Sequence, residues 1–216
     1  MRHVHIVTVA LPCVGVSVSR LISSLLVIRH GQSLWNVDER WQGRANIALS
    51  ELGVRQAYAA ADALGAFDLI ASSQLDRARD TAGIIAERLG IGPVVVDERI
   101  QETDIGPWEG LTRPEIESRW PGYMESFRKP EGFESDESVI DRMTAGLVDI
   151  GLRCRGGMGL VISHSGVIRT MRRAMNASNP RLPNLGGCWF HVREDETLLV
   201  GDLVTVLGDA ASTESL

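Results

Sequence analysis

Lysine is almost missing from this chain. Of 22 basic residues among 216, only Lys129 is lysine and the others are arginine; codon bias in a GC-rich genome is the plain explanation. Cysteine is scarce too. Cys13, Cys154 and Cys188 form an odd set without a CxxC spacing, which argues against a disulfide framework or a zinc site and fits a reducing compartment, the cytoplasm. No apolar run reaches the roughly 18 residues of a membrane span, so no membrane association is expected. A surplus of positive charge is also lacking. The net charge of −6 argues against a general nucleic-acid binder held by phosphate contacts. Histidine occurs five times, and His3 and His5 lie near the start, leaving His30, His164 and His191 in the body. What is present is ordinary for a globular domain: 44% apolar and 23% charged residues, which excludes disordered, collagen-like and coiled-coil classes.

Residues 1–24 read as an N-terminal extension. Arg2, His3 and His5 precede an apolar stretch from Ile6 to Val18, with Ser17 and Ser19 near a possible cleavage point. That resembles a weak signal peptide, but Pro12, Cys13 and Gly15 interrupt it. An extra strand or an upstream start codon are the alternatives. From Leu25 the chain alternates strands with helices. Leu25–Ile28 is a buried strand. Ser50 caps a helix to about Leu64, stopped by Gly65, with Leu52, Ala59, Ala60 and Ala63 on its apolar face. Phe67–Ala71 is a strand, Leu75–Leu89 a helix closed by Gly90, and Val94–Val96 a strand. Thr112 and Glu115 form a capping box with Pro114 in the first turn. Trp120–Phe133 is an irregular excursion. A helix over Glu137–Arg153, a strand over Leu160–Ser163 and a helix over Val167–Met175 follow. Cys188–Val192 and Thr197–Val206 form an antiparallel pair. Residues 25–207 make one domain and 208–216 a polar tail. This alternation predicts an α/β fold, a three-layer α/β/α sandwich with a mainly parallel central sheet.

Ligands of such sheets bind beyond the carboxyl ends of the strands. That rule selects Arg29, His30, Ser72 and His164. Arg29-His30-Gly31 follows the first strand. Arg77, in Ser72-Ser73-Gln74-Leu75-Asp76-Arg77-Ala78, sits in the first turn of a helix, where free amides and a two-pronged guanidinium favour an anion. Glu102 lies in a loop, Gln101-Glu102-Thr103-Asp104-Ile105-Gly106-Pro107-Trp108-Glu109-Gly110, with Asp104 and Glu109 as rival acids. Ile162-Ser163-His164-Ser165-Gly166 ends a strand and opens a helix, so His164 stands beside more free amides. Each motif alone is weak, since a lone histidine is more often structural and an arginine on an amphipathic helix is more often solvated.

Taken in order, these motifs resemble the histidine phosphatase superfamily, in the branch of cofactor-dependent phosphoglycerate mutases and their phosphatase relatives. Arg29-His30-Gly31-Gln32-Ser33-Leu34-Trp35-Asn36 is the leading match; Gln42-Gly43, Leu49, Gly53, Gln56 and Ala57 continue it. The resemblance implies that His30 is the nucleophile that becomes phosphohistidine, that Arg29, Arg77 and His164 surround the phosphoryl oxygens, that Glu102 is the proton donor, and that Asn36 contacts the phosphoryl group. Gln42, Gly43, Arg113, Ser165 and Gly166 are further candidates for holding substrate or phosphate. The chemistry is consistent with these roles: neutral imidazole attacks phosphorus at pH 7, and fixed cations stabilise the spread negative charge. Neither a metal nor a cofactor is called for. Ser165 departs from the family's usual glycine, Gln74 from proline, Asn46 from aspartate and Ala48 from proline, which bears on substrate choice.

The expected activity is a metal-independent phosphomonoesterase acting on a small phosphorylated metabolite, in a chain that also suits a homodimer. The stretch between Glu102 and His164 is short, as in the phosphatases; Ile105, Arg113 and Gln42 stand where the mutases tend to carry tyrosine, lysine and a small hydroxyl residue. A cofactor-dependent phosphoglycerate mutase is the alternative, and a catalytically silent phosphate-binding module a third reading. Trp120, Tyr123 and Phe127 either wall the substrate or pack a small subdomain. Arg113 or Arg128 is placed to hold a second anionic group, and His191 is expected to be structural.

Overall fold

The computed structural model describes residues 19–208. Cys13, the signal-peptide reading of the first residues and nearly all of the polar tail lie outside them. Six strands form one sheet: β1 (Leu21–Arg29), β2 (Leu69–Ser72), β3 (Val95–Val96), β4 (Met158–Ser163), β5 (Gly186–Arg193) and β6 (Leu198–Thr205), in the order β3-β2-β4-β1-β5-β6. β1, β2, β3 and β4 are mutually parallel, with Ile28 beside Ile162 and Ser72 beside the same Ile162. β5 runs antiparallel to β1, and β6 to β5. The mainly parallel sandwich is therefore correct, with the antiparallel pair at one edge.

Side-chain alternation along β1 builds the two outer layers. Leu25 and Val27 enter one core with Met143 and Leu147 of α5 (Asp136–Arg153) and Ile168 and Met171 of α6 (Ser165–Ala174). Leu26 and Ile28 enter the other, with Ala60 of α2 (Glu51–Ala63) and Ala82 and Ile85 of α3 (Asp76–Leu89). A third, smaller cluster gathers Ile105, Trp108 and Ile116 with Trp41, Trp120, Tyr123 and Phe133. It rests on α4 (Arg113–Arg119), whose capping box forms as expected. The short α1 (Leu34–Val37) follows β1.

Several boundaries differ from expectation. β1 begins at Leu21, earlier than Leu25, because Leu21 and Ser23 pair with Arg193 and Val192 of β5, while the Gly156 amide donates to Ile22 O and the Gly157 carbonyl accepts the Ser24 amide. β2 begins at Leu69; Phe67 packs under it instead. The Glu102 loop holds a short 3-10 turn, Gly106–Trp108, where a plain loop was expected. The apolar face expected for α2 is right only at Ala60: Ala59 and Ala63 are exposed and Leu52 is half-buried, while Gly53, Gln56, Ala57 and Ala61 join Ala60 in the buried set. The cause is a close backbone approach. Gly53 lies so near the Gln32 carbonyl that any Cβ would overlap it, and the buried Gln56 side chain accepts the Gln32 amide at 2.9 Å. Trp120 and Tyr123 pack the third cluster, whereas Phe127 is 91% exposed, so the packing reading holds for the first two. His191 is structural, held by Ser24 Oγ at 2.8 Å and stacked on Trp189.

Candidate active site

Three parallel strands end side by side, and their last residues converge. Arg29 closes β1, Ser72 closes β2 and Ser163 closes β4; His30, Ser73 and His164 follow each in turn. The ladder continues one step further through His30 N–H to Ser163 O and Ser73 N–H to Ile162 O, both at 3.1 Å. His30 and His164 thereby become neighbours, with ring centroids 5.2 Å apart at 58°. Both are buried, as is Arg77 in the first turn of α3.

The hydrogen bonds of His30 fix its tautomer. Its Nδ1 lies 2.6 Å from the Gly31 carbonyl, which only accepts, so Nδ1 carries the proton. Nε2 is then the lone-pair nitrogen, and it accepts from Arg77 Nε at 3.2 Å. Burial, reinforced by the Arg77 and Arg29 guanidiniums, holds His30 well below 6.5 and outweighs the opposite pull of the Gly31 carbonyl, so the ring is neutral at pH 7. His164 is held down in the same way, by burial first and by Arg77 next. Its Nε2 meets Ser73 Oγ at 2.7 Å, while its buried Nδ1 has no hydrogen-bond partner among the described residues.

Arg77 is locked by Gly43 O at 2.8 Å and Ala45 O at 2.7 Å. Gly43 has a φ of +51°, and a Cβ there would press on Ile105 and Glu109, so glycine is required. Burial lowers Arg77 to about 10, partly offset by Glu102 and Glu109, and it stays cationic at pH 7. Arg29 donates to Leu182 O at 2.9 Å and is likewise lowered to about 10, mainly by burial.

Glu102 reaches the site from its loop. Its carboxylate accepts the Thr103 amide at 2.9 Å and the Gly166 and Val167 amides at 3.1 Å each, capping α6 beside His164. This corrects the expectation of free amides there: the Gly166 N–H is taken by Glu102, and its missing Cβ leaves room for that carboxylate. The rivals sit elsewhere. Asp104 accepts the Gly106 amide and Glu109 the Arg44 amide.

The remaining expected residues divide. Asn36 uses Oδ1 to accept the Ser33 amide in a capping box, and Gln42 Oε1 accepts from Ser33 Oγ at 2.9 Å; both shape the turn after His30. Ser165 is the half-buried first residue of α6. Arg113 is exposed at the start of α4, and no described hydrogen bond or ion pair joins it to the cluster. Asn46 caps α3 from a distance: its side chain accepts the Asp76 amide and donates to the Asp76 carboxylate, both at 2.7 Å. Sequence reasoning missed Asn184, whose Nδ2 holds the His30 carbonyl at 3.0 Å, along with Ser73 and Arg142. Ser73 had a readable signal, as the residue beyond a strand end; Asn184 and Arg142 had none.

Two neutral imidazoles and two guanidiniums thus gather at the carboxyl edge of a parallel sheet, a cationic, nucleophile-bearing arrangement of the kind that suits a small oxyanion. The chain belongs to the histidine phosphatase superfamily (branch 1), whose family model matches residues 25–194. A glucosyl-3-phosphoglycerate phosphatase from Mycobacterium tuberculosis is 45% identical over 125 residues, 55% of this chain; the match spans only 56% of that relative's length. A metal-independent phosphoserine phosphatase from Arabidopsis thaliana is 29% identical over 196 residues, covering 85% of this chain and 82% of the relative. Among solved structures, a mycobacterial glucosyl-3-phosphoglycerate phosphatase with VO3 superposes with a TM-score of 0.74 at 31% identity, over 82% of this chain and 96% of the other.

Proposed function

We propose that this protein is a metal-independent phosphomonoesterase working through phospho-His30 on a small phosphorylated metabolite. The observation that carries this reading is the pairing at His30: Nδ1–H tied to Gly31 O, with the Nε2 lone pair facing Arg77. The phosphatases named among the relatives support it. In this reading residues 25–207 form the phosphatase unit, with the flanking segments appended, and the free buried thiols of Cys154 and Cys188 fit a cytoplasmic setting.

The phosphate ester enters among Arg29, Arg77 and His164. Arg77 Nε moves its hydrogen bond from Nε2 to a phosphoryl oxygen as phosphorus approaches. The Glu102 carboxylate takes a proton from the arriving phosphate monoester; Nε2 forms the N–P bond while the ester P–O bond breaks, and Glu102 gives that proton to the leaving alcohol oxygen. Water then attacks phospho-His30. Glu102 accepts the water proton and passes it to the departing phosphate, and the imidazole returns to its neutral form. The spread charge on the transferring group is balanced by the guanidiniums and by His164.

The test is release of inorganic phosphate from p-nitrophenyl phosphate and from a panel of phosphorylated acids, sugars and nucleotides, in EDTA, by wild type and His30→Ala. Wild type turns over and traps an acid-labile phosphoprotein; His30→Ala does neither. Interconversion of 3- and 2-phosphoglycerate primed by 2,3-bisphosphoglycerate, without net hydrolysis, overturns the reading in favour of a mutase. Phosphate binding without turnover by wild type overturns it in favour of a binding module. Light scattering on the same sample tests the homodimer.

A further inference from the structure

The loop that carries Glu102 has no ladder of its own. Between β3 and α4 the chain forms neither a strand nor a long helix, so its carbonyls need outside donors. Four consecutive ones find them. The Arg99, Gln101 and Glu102 carbonyls all accept from Arg142, at 2.8, 2.7 and 3.1 Å. The Ile100 carbonyl accepts from Ser163 Oγ, in β4, at 2.7 Å.

Arg142 lies on α5, and all its donors are engaged. Nη1 serves Arg99 and Gln101, Nη2 serves Glu102 and Glu134, and Nε serves Glu134 at 2.8 Å. A guanidinium has no more than these five N–H groups to give. Glu134, only 8% exposed at its side chain, grips the loop beyond Glu102: its carboxylate accepts the Asp104 amide at 3.1 Å, and its own amide donates to Asp104 O at 2.8 Å. Glu102 is thus bracketed by the Arg142–Glu134 pair, through its own carbonyl on one side and through Asp104 on the other, with Arg44 as an outer cation that meets Glu134 at 3.2 Å and the Glu102 carbonyl at the longer distance of 3.4 Å.

We infer that Arg142 is a positioning residue for Glu102, setting the backbone of its loop so that the carboxylate meets the end of α6 beside His164. This rests on the proposed phosphatase reading, with Glu102 as proton donor. A misplaced acid costs most where the leaving group most needs a proton. A merely structural arginine would slow every substrate alike.

The experiment compares kcat/KM for an alkyl ester, glycerol phosphate, with that for 2,4-dinitrophenyl phosphate, whose phenolate departs without help. Glu102→Gln calibrates the split. Arg142→Ala is expected to lose about 10²-fold on the alkyl ester and less than about threefold on the dinitrophenyl ester; Arg142→Lys, which keeps the charge with fewer donors, shows the same split reduced. Adding Arg142→Ala to Glu102→Gln produces no further loss on the alkyl ester. Equal losses on both esters, or no loss, overturn the inference. Should Arg142→Ala fail to fold, Arg142→Lys decides by the same ratio. A Glu102→Gln enzyme without a split overturns the acid assignment instead, and an inactive wild type overturns the phosphatase reading itself.

Discussion

The two sides of the pocket are held in place by different means. His30, His164 and Arg77 stand at strand ends and at the first turn of a helix, so the sheet itself fixes their spacing, and a few short bonds to Gly31, Ser73, Gly43 and Ala45 complete the arrangement. Glu102 stands on an irregular loop and leans on a half-buried ion pair. A regular framework positions side chains through its own backbone, whereas a loop must borrow donors from elsewhere. The two sides should therefore fail separately.

Arg77→Gln breaks the framework side most severely. It removes the cation facing His30 Nε2 and strips donors from the Gly43 and Ala45 carbonyls. Steady-state kinetics should show kcat down by about 10²–10³-fold on alkyl and dinitrophenyl esters alike. Gly166→Ala breaks the loop side. A methyl group there overlaps Glu102 Oε1, and kcat/KM for an alkyl ester should fall by about 10–10²-fold with the dinitrophenyl ester largely spared.

Acid separates the two sides further. His30 and His164 are held below 6.5 by burial and nearby cations. The unfolded chain takes up those protons first, so their contribution is complete above pH 6.5 and declines as pH falls below it. Burial pushes the Glu134 carboxyl up, but Arg142 and the Asp104 amide outweigh it and bring it down to about 2 from 4.5. Its contribution is complete above pH 4.5 and is lost as pH falls towards 2. The Tm gap between wild type and Glu134→Gln should thus be constant from pH 7 to 5 and close below pH 4.5. The smallest effect belongs to Asn46→Ala, which removes the remote cap of α3. It should cost about 1 kcal/mol, or about 2–4 °C in Tm for a chain of this size, without changing the ratio of the two esters.

Much of the framework side was legible in the sequence because its signals are local. The apolar run before Arg29-His30, the Ser50 cap, Gly90 at a helix end and the Thr112–Glu115 box each act within a few residues, and each appears in the fold. The face of α2 was misread because small residues occupy two neighbouring stripes: Gly53, Gln56, Ala57, Ala60 and Ala61 recur at helical spacing beside Leu52, Ala59 and Ala63, and the close approach of Gly53 to Gln32 favours the first. The loop side was legible only in part. Glu102, Asp104 and Glu109 are alike as residues, and resemblance alone preferred the first; what separates them is the reach to the Gly166 and Val167 amides. Arg142 reads as one more arginine on an amphipathic helix, since the carbonyls it holds lie some forty positions away along the chain.

The scarcity of lysine gives this molecule an unusual practical handle. Lys129 is the sole ε-amine in the chain. Its ammonium is bound to Asp136 at 2.6 Å and touches the Glu134 carbonyl at 3.4 Å, next to the ion pair that steadies the Glu102 loop. An amine-reactive fluorophore therefore has one side-chain target, and a dye placed there reports on the acid's scaffold from outside the pocket.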